Sequence, residues 1–280
     1  MSKTLDTLVE DIYDVFLSNK ELSYADLQEF GEGVKSAVIR QVTEVREPST
    51  RLRQSQIGKP NRKLWYDTRT DSKREELDGP TRIKFLFGDI MESLLILLIK
   101  NSGHQLTDEQ KEVHVAGVAG HMDCKIDGKV VDIKTASPYG FKKFVDGTLS
   151  SNDSFGYIPQ ISSYARAEGN EDAAFLAFNK VTGQLALTPI HQMEMINAVD
   201  RVEELKQVVA SDALPSRCYD DVAEGASGNR ALAQDCHWCD HKVTCWSDAN
   251  NGVGLRTFAY SNGPKHFTNV AKEPRVQEIV

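Results

Sequence analysis

The chain lacks an apolar run of the roughly 18 residues that a bilayer span needs. FLFGDIMESLLILLIK comes nearest, and Asp89 and Glu92 interrupt it. The N-terminus is acidic and polar, without the basic and apolar regions of a secretory signal. A soluble protein with no membrane partner is expected, in the cytoplasm. Cysteine is scarce, with five in 280 residues, and without a secretory signal disulfides are not expected. Positive charge is in deficit: the net charge is −8, which argues against a protein that coats nucleic acid indiscriminately. No internal repeat or low-complexity tract is present.

What is present supports a sizeable core, since 40% of residues are hydrophobic and 26% charged. The length fits one large domain, or one domain with extensions. The charge is uneven. Residues 46–74 carry nine basic residues against three acids, a net +6, which leaves −14 on the remainder. Such a stretch is either a phosphate-binding track or a solvated loop.

Helical spacing of Leu5, Leu8, Ile12, Val15 and Phe16 predicts a helix over 3–18. A second is expected over 23–42, with Ser23 as N-cap, and a long one over 80–101. Strands are expected near 111–118, 120–126 and 129–135, then a helix near 155–168. AAFLAFNK and LALTPI read as two strands joined by 181–184, followed by a helix over 191–211. A late hairpin is expected to turn at Asn262-Gly263. The fold class is α/β (α+β), a mixed sheet with flanking helices and a cysteine-bound appendage. The organisation reads as a helical region at 1–45, a basic connecting segment at 46–79 and a core at 80–212. A cysteine segment at 213–250 and a C-terminal hairpin and tail at 251–280 complete it.

The informative stretch is GHMDCKIDGKVVDIKTAS, residues 120–137. Asp127-Gly128 is a two-residue hairpin signal. A turn there pairs Ile126 with Lys129, Cys124 with Val131, and Asp123 with Asp132. Alternation puts Asp123 and Asp132 on one face with His121 and Lys134. Met122, Cys124, Val131 and Ile133 then face the core. Opposed carboxylates repel, so either one acid holds a proton or a cation sits between them, and Mg²⁺ or Mn²⁺ suits such oxygen donors. A surface Lys–Asp ion pair is the plainer alternative.

GHMD followed by VVDIKT resembles the signature of the PD-(D/E)xK nucleases, with Asp123 as first acid and Asp132-Ile133-Lys134 as the D-x-K. Three further features agree in order. FGDIMESLL carries the pattern of the family's helical acid at Glu92. PQISSYARAEG matches the Q-x-x-x-Y motif of RecB-like exonucleases through Gln160 and Tyr164. CHWCDHKVTC reproduces the C-x2-C-x5-C of the iron–sulfur branch. The set is most similar to phage-type exonucleases related to the CRISPR-associated RecB-like exonuclease and the AddB nuclease domain. The resemblance implies a restriction-endonuclease-like fold and a metal-dependent DNA exonuclease serving phage recombination or DNA degradation. An internally cutting, resolvase-type nuclease and a silent DNA-binding module are the alternatives.

By the same resemblance Glu92, Asp123, Asp132 and the Ile133 carbonyl hold Mg²⁺ or Mn²⁺. Lys134 positions the attacking water, and Gln160 and Tyr164 orient the DNA. Arg62 and Lys63 are candidate phosphate contacts, while Leu64, Trp65 and Tyr66 equally suit docking of their segment on the core. Linear DNA, single-stranded or with a free end, is the implied substrate, and a single-strand-binding or recombination protein is a candidate partner. For the cysteines, a 4Fe–4S cluster, Zn²⁺ with His237 or His241 as replacement ligand, and free thiols all remain open. Where the family takes its first cysteine, Pro60 stands, and Cys218 joins Cys236, Cys239 and Cys245 as its substitute. Cys124 is set aside because strand alternation sends it into the core.

Overall fold

The computed structural model describes residues 3–43, 50–69 and 77–279. Arg46, Lys73 and Arg74 of the basic stretch lie outside them. The helices of seven residues or more are α1 (Leu8–Leu17), α2 (Tyr24–Thr43), α3 (Asn61–Asp67), α4 (Gly79–Ser102), α5 (Pro138–Val145), α6 (Tyr157–Glu168) and α7 (Ala198–Ala210). The first strands are β1 (Leu106–Thr107), β2 (Glu112–Val115), β3 (Val118–His121), β4 (Cys124–Ile126), β5 (Lys129–Ala136), β6 (Ala173–Asn179) and β7 (Leu185–Ile190). The chain divides into two compact units, 1–47 with 52–58 and 77–206, and 48–51 with 59–76 and 207–280.

The first unit is the mixed α/β structure expected. Its sheet runs β1-β4-β5-β6-β7, with β5 and β6 parallel and the other neighbours antiparallel. Alternation along β5 builds two cores. Val131 and Ile133 join Leu8, Ile12, Leu95 and Ile99 from α1 and α4. Val130 and Ala136 join Phe141, Phe144, Ile161 and Tyr164 from α5 and α6. Burying whole side chains on both faces stabilises by roughly 1.5–3 kcal/mol each, which suits the apolar run in AAFLAFN. α4 starts on Asp78, whose carboxylate accepts the Thr81 N–H, and ends on Gly103 in the left-handed conformation.

Three expectations are corrected here. The stretch 120–126 is not one strand: β3 pairs with β2 in a separate ribbon, and the chain breaks at Met122 and Asp123 before β4. Met122 therefore packs with Val130 and Tyr164, on the opposite face from Cys124. The helix over 191–211 is a short 3₁₀ turn and then α7, because Met195 is extended after the first and the Asn197 side chain opens the second by accepting the N–H groups of Val199 and Asp200. α5 was not foreseen from sequence, although Ser137 caps it and Pro138 opens it.

The second unit contains α3 and the sheet β12-β10-β11-β9-β8, formed by β8 (Val222–Glu224), β9 (Asn229–Ala231), β10 (Arg256–Tyr260), β11 (Gly263–Asn269) and β12 (Glu278–Ile279). The late hairpin pairs Tyr260 with Gly263, so it turns on Ser261-Asn262, one residue earlier than expected. α3 is held by Lys59 and His241, which both bond the buried Asp67 at 2.8 Å. Burial would raise the Asp67 pKa, but His241 and Lys59 override it and hold the carboxyl well below the usual range. Among the described residues no helix is long and apolar enough to cross a membrane.

Candidate active site

The hairpin register is as expected through Ile126–Lys129 and Cys124–Val131, with Asp127 and Gly128 both at positive φ. It stops one residue short of the acids. Asp123 lies beyond the end of β4 and is not paired across the ladder with Asp132. Its Oδ2 instead accepts the Ile133 backbone N–H at 2.7 Å. His121 is also not opposite Lys134. It stands exposed on β3, 3.8 Å from Glu112. The break at Met122 is the reason for both corrections.

Asp132 and Lys134 point from the middle of β5 towards α6. Asp132 is 1% exposed. Lys134 Nζ lies 2.5 Å from its Oδ2, but off the direction a hydrogen bond requires, and neither oxygen of Asp132 has a hydrogen-bond partner. The ion pair is real by distance; the missing hydrogen bonds are what make it costly. Burial alone would lower the Lys134 pKa, but Asp132 and Asp123 raise it, so the ammonium stays charged. The Tyr157 ring lies 5.3 Å from that ammonium.

Glu92 arrives from α4, and Gln110 donates to it at 2.7 Å. Burial first, and then the Asp132 charge, raises the Glu92 pKa. The same two causes raise Asp123 further. Three acids thus share one electrostatic neighbourhood. Among the described residues, however, no three His, Cys, Asp or Glu side chains stand at metal-holding spacing. Each carboxylate leans on its own neighbour: Asp123 on Ile133, Glu92 on Gln110, Asp132 on Lys134. The donor chemistry nonetheless suits a hard divalent cation, because both buried oxygens of Asp132 are without hydrogen-bond partners.

Gln160 donates to the Tyr164 hydroxyl at 3.1 Å, one turn along α6. Burial raises the Tyr164 pKa, and the charges of Asp132 and Asp123 push it the same way. Sequence reasoning missed Tyr157, Gln110 and Gln54. Gln54 is wholly buried, bonds the carbonyls of Val115 and Val118, and accepts from Ser163 on α6. Only the placement of Tyr157 three residues before Gln160 could have been read as a signal.

A cleft of about 650 Å³ opens beside these groups, lined in part by Glu92, Lys134, Tyr157, Lys84, Lys180 and Phe155. One wall is the loop before α6. Asp153 accepts the N–H groups of both Tyr157 and Ile158. Three residues further on, Gly156 has φ +76°, and a Cβ there would fall 2.5 Å from the Cα of Gly58. Only glycine allows these two backbones to cross.

In the second unit Arg62 is engaged by the carbonyls of Pro215 and Cys245, at 2.8 and 3.3 Å, and Lys63 lies 3.8 Å from Asp240. Leu64 and Tyr66 are buried, and the Trp65 indole donates to the Ser211 carbonyl. Both basic residues expected on a phosphate track are thus held by neighbours inside their own unit. None of the five cysteines forms a disulfide. Burial and the charges of Cys239, Cys245 and Cys218 push Cys236 up to about 12, so the four lie within electrostatic reach of one another. Cys124 is buried and directs its thiol at the Val131 carbonyl.

No protein-family model matches the chain, and no curated protein matches it. Among solved structures, that of SSO0001 is similar at 14% identity and a TM-score of 0.43, covering 78% of this chain and 96% of that one. An alkaline exonuclease, LHK-Exo, from Laribacter hongkongensis is similar at 16% identity and a TM-score of 0.37, over 58% of this chain and 86% of that one. Its complex with dAMP gives 15% and 0.37, over 57% and 85%. Likeness at this level carries no argument about activity, which rests on the site itself.

Proposed function

We propose that the first unit is a metal-dependent nuclease that hydrolyses phosphodiester bonds in DNA. The observation that carries the reading is Asp132: a buried carboxylate ion-paired with Lys134 at 2.5 Å, with no hydrogen bond to either oxygen and two further acids nearby. Glu92, Asp123, Asp132 and the Ile133 carbonyl would hold Mg²⁺ or Mn²⁺, which when bound supplies Lewis acidity towards the phosphate and the attacking water. Lys134 is placed to orient that water and to offset negative charge on the phosphate in the transition state. Tyr157 keeps the ammonium in place, and Gln160 aligns Tyr164 behind it.

Exonuclease action is the preferred form, on the strength of the ordered motifs of the RecB-like branch. A time course on end-labelled linear DNA with Mg²⁺ or Mn²⁺ tests activity and polarity together. Rapid cutting of a covalently closed single-stranded circle would replace exonuclease by endonuclease. Absence of any DNA hydrolysis would leave a silent binding module. The four thiols suit a soft metal, which would pin the second unit's C-terminal segment. Absorbance near about 400 nm in anaerobically purified protein marks iron–sulfur, and zinc by elemental analysis marks the alternative.

A further inference from the structure

The cleft lined by Glu92 and Lys134 has two charges that nothing in the proposed chemistry uses. Lys84, from the first turns of α4, and Lys180, just after β6, both line it and both are exposed. They are near enough that Lys84, after burial, depresses the Lys180 pKa. Neither ammonium group has a hydrogen-bond or ion-pair partner among the described residues. The acids that could have matched them are committed elsewhere: Asp89 pairs with Arg40 and Gln41, and Asp153 with two backbone N–H groups. The other lysines of the cleft are also taken, Lys134 by Asp132 and Lys143 by Asn152. Two ammonium groups left close together and uncompensated fit a polyanion.

The same cleft presents an aromatic face. Phe155 is 71% exposed, yet its loop is fixed on both sides by the Asp153 cap and the Gly58–Gly156 crossing. Its ring stacks on Tyr157, with centroids 5.4 Å apart and planes at 21°. The centre of the Tyr157 ring in turn lies 5.3 Å from the Lys134 ammonium. A fixed, exposed ring leaving one face open is what an unstacked base can use, whereas the bases of an intact duplex already have stacking partners.

We propose that Phe155 is a stacking platform for one base of a single-stranded nucleic acid, and that Lys84 and Lys180 hold a phosphate flanking the scissile one. The inference rests on the nuclease reading for its position and names the strandedness that the cleft accepts. A fluorescein-labelled oligothymidylate of about 12 nucleotides, a length within the range such sites cover, serves as probe, with EDTA present so that no turnover occurs. A blunt duplex closed at both ends by hairpin loops is the comparison. Phe155→Ala is expected to weaken single-strand binding roughly 5- to 100-fold, the range for one lost base stack, and Phe155→Trp to restore it. Duplex binding is expected to be unchanged in both variants. Lys84→Ala with Lys180→Ala should flatten the salt dependence of single-strand binding by about 0.7 for each phosphate no longer held. Equal effects of Phe155→Ala on both probes, or none on either, overturn the proposal. Phe155-dependent binding without hydrolysis in Mg²⁺ or Mn²⁺ would retain this site and sink the nuclease. Hydrolysis insensitive to Phe155 would do the reverse.

Discussion

The Asp123 carboxylate accepts the Ile133 backbone N–H at 2.7 Å. It takes that bond at the point where the β4–β5 ladder has already ended, so a side chain stands in for a missing strand residue. Asp123→Ala should therefore cost stability, about 1–3 kcal/mol for a half-buried donor left bare. Asp123→Asn keeps an acceptor and should melt at or above wild type without metal while binding Mn²⁺ more weakly. Thermal melts and calorimetric titration of the two variants separate the structural role from the ligand role.

Asp132→Asn is expected to lower hydrolysis by at least about 100-fold, as loss of a preorganised charge does, with DNA affinity retained. Lys134→Ala should match it in rate, and its melting point should fall because Asp132 is left buried without a counter-charge. Turnover unchanged in either variant removes both residues from the chemistry.

Burial and mutual repulsion raise the pKa values of Glu92 and Asp123. A cation must displace whatever protons they carry, so Mn²⁺ affinity should rise with pH and binding should release protons. Titrations in buffers of different ionisation enthalpy read that release directly. The stability sign follows: acids with raised folded values oppose folding when ionised, so metal-free protein should gain stability as they protonate.

Asp11 works in the opposite direction. Hydrogen bonds from Lys3 and Thr7 lower its pKa from 3.8 to about 2, and His104 bonds it at 2.9 Å. A depressed carboxyl stabilises the fold above its unfolded value and loses that contribution as pH falls through the folded one. Urea melts should show Asp11→Asn less stable at neutral pH, with a shallower loss between pH 3.8 and about 2.

In the second unit, removing Asp67 leaves Lys59 and His241 facing a buried gap. Asp67→Ala should cost roughly 3–5 kcal/mol, as breaking a buried pair from one side does. Faster hydrogen exchange in α3 and in residues 236–246 would show it. Unchanged protection there refutes the pinning role.

Much of this was legible beforehand because it depends on local rules. Asp127-Gly128 fixed the hairpin register, since both residues adopt positive φ. The helical period of α4 and the i,i+4 spacing of Gln160 and Tyr164 needed no tertiary information. What failed was the extrapolation of the ladder past Cys124. Strand alternation cannot show that the chain breaks at Met122, because the competing pairing of β3 with β2 is equally regular. The burial of Gln54 against Ser163 was hidden for a different reason: the partners lie 109 residues apart, and a polar residue in a polar segment gives no sign of enclosure. α5 was overlooked although its cap and proline were in plain view.

The crossing of Gly58 and Gly156 also limits how descendants of this sequence can vary. Neither position admits a side chain alone, and a change at one is not rescued by shrinking the other, which is already as small as a residue can be. Drift in the composition of the cleft's rim must then be absorbed at the exposed positions upstream of the Asp153 cap, such as Ser150 and Ser151. A library randomised over 146–158 should return free choice at the exposed Ser150 and Ser151, retention of an apolar residue at the buried Leu149, and near-fixation at Asp153, Gly156 and Tyr157. That boundary would be a mark left in sequence statistics by two backbones passing too close for a methyl group.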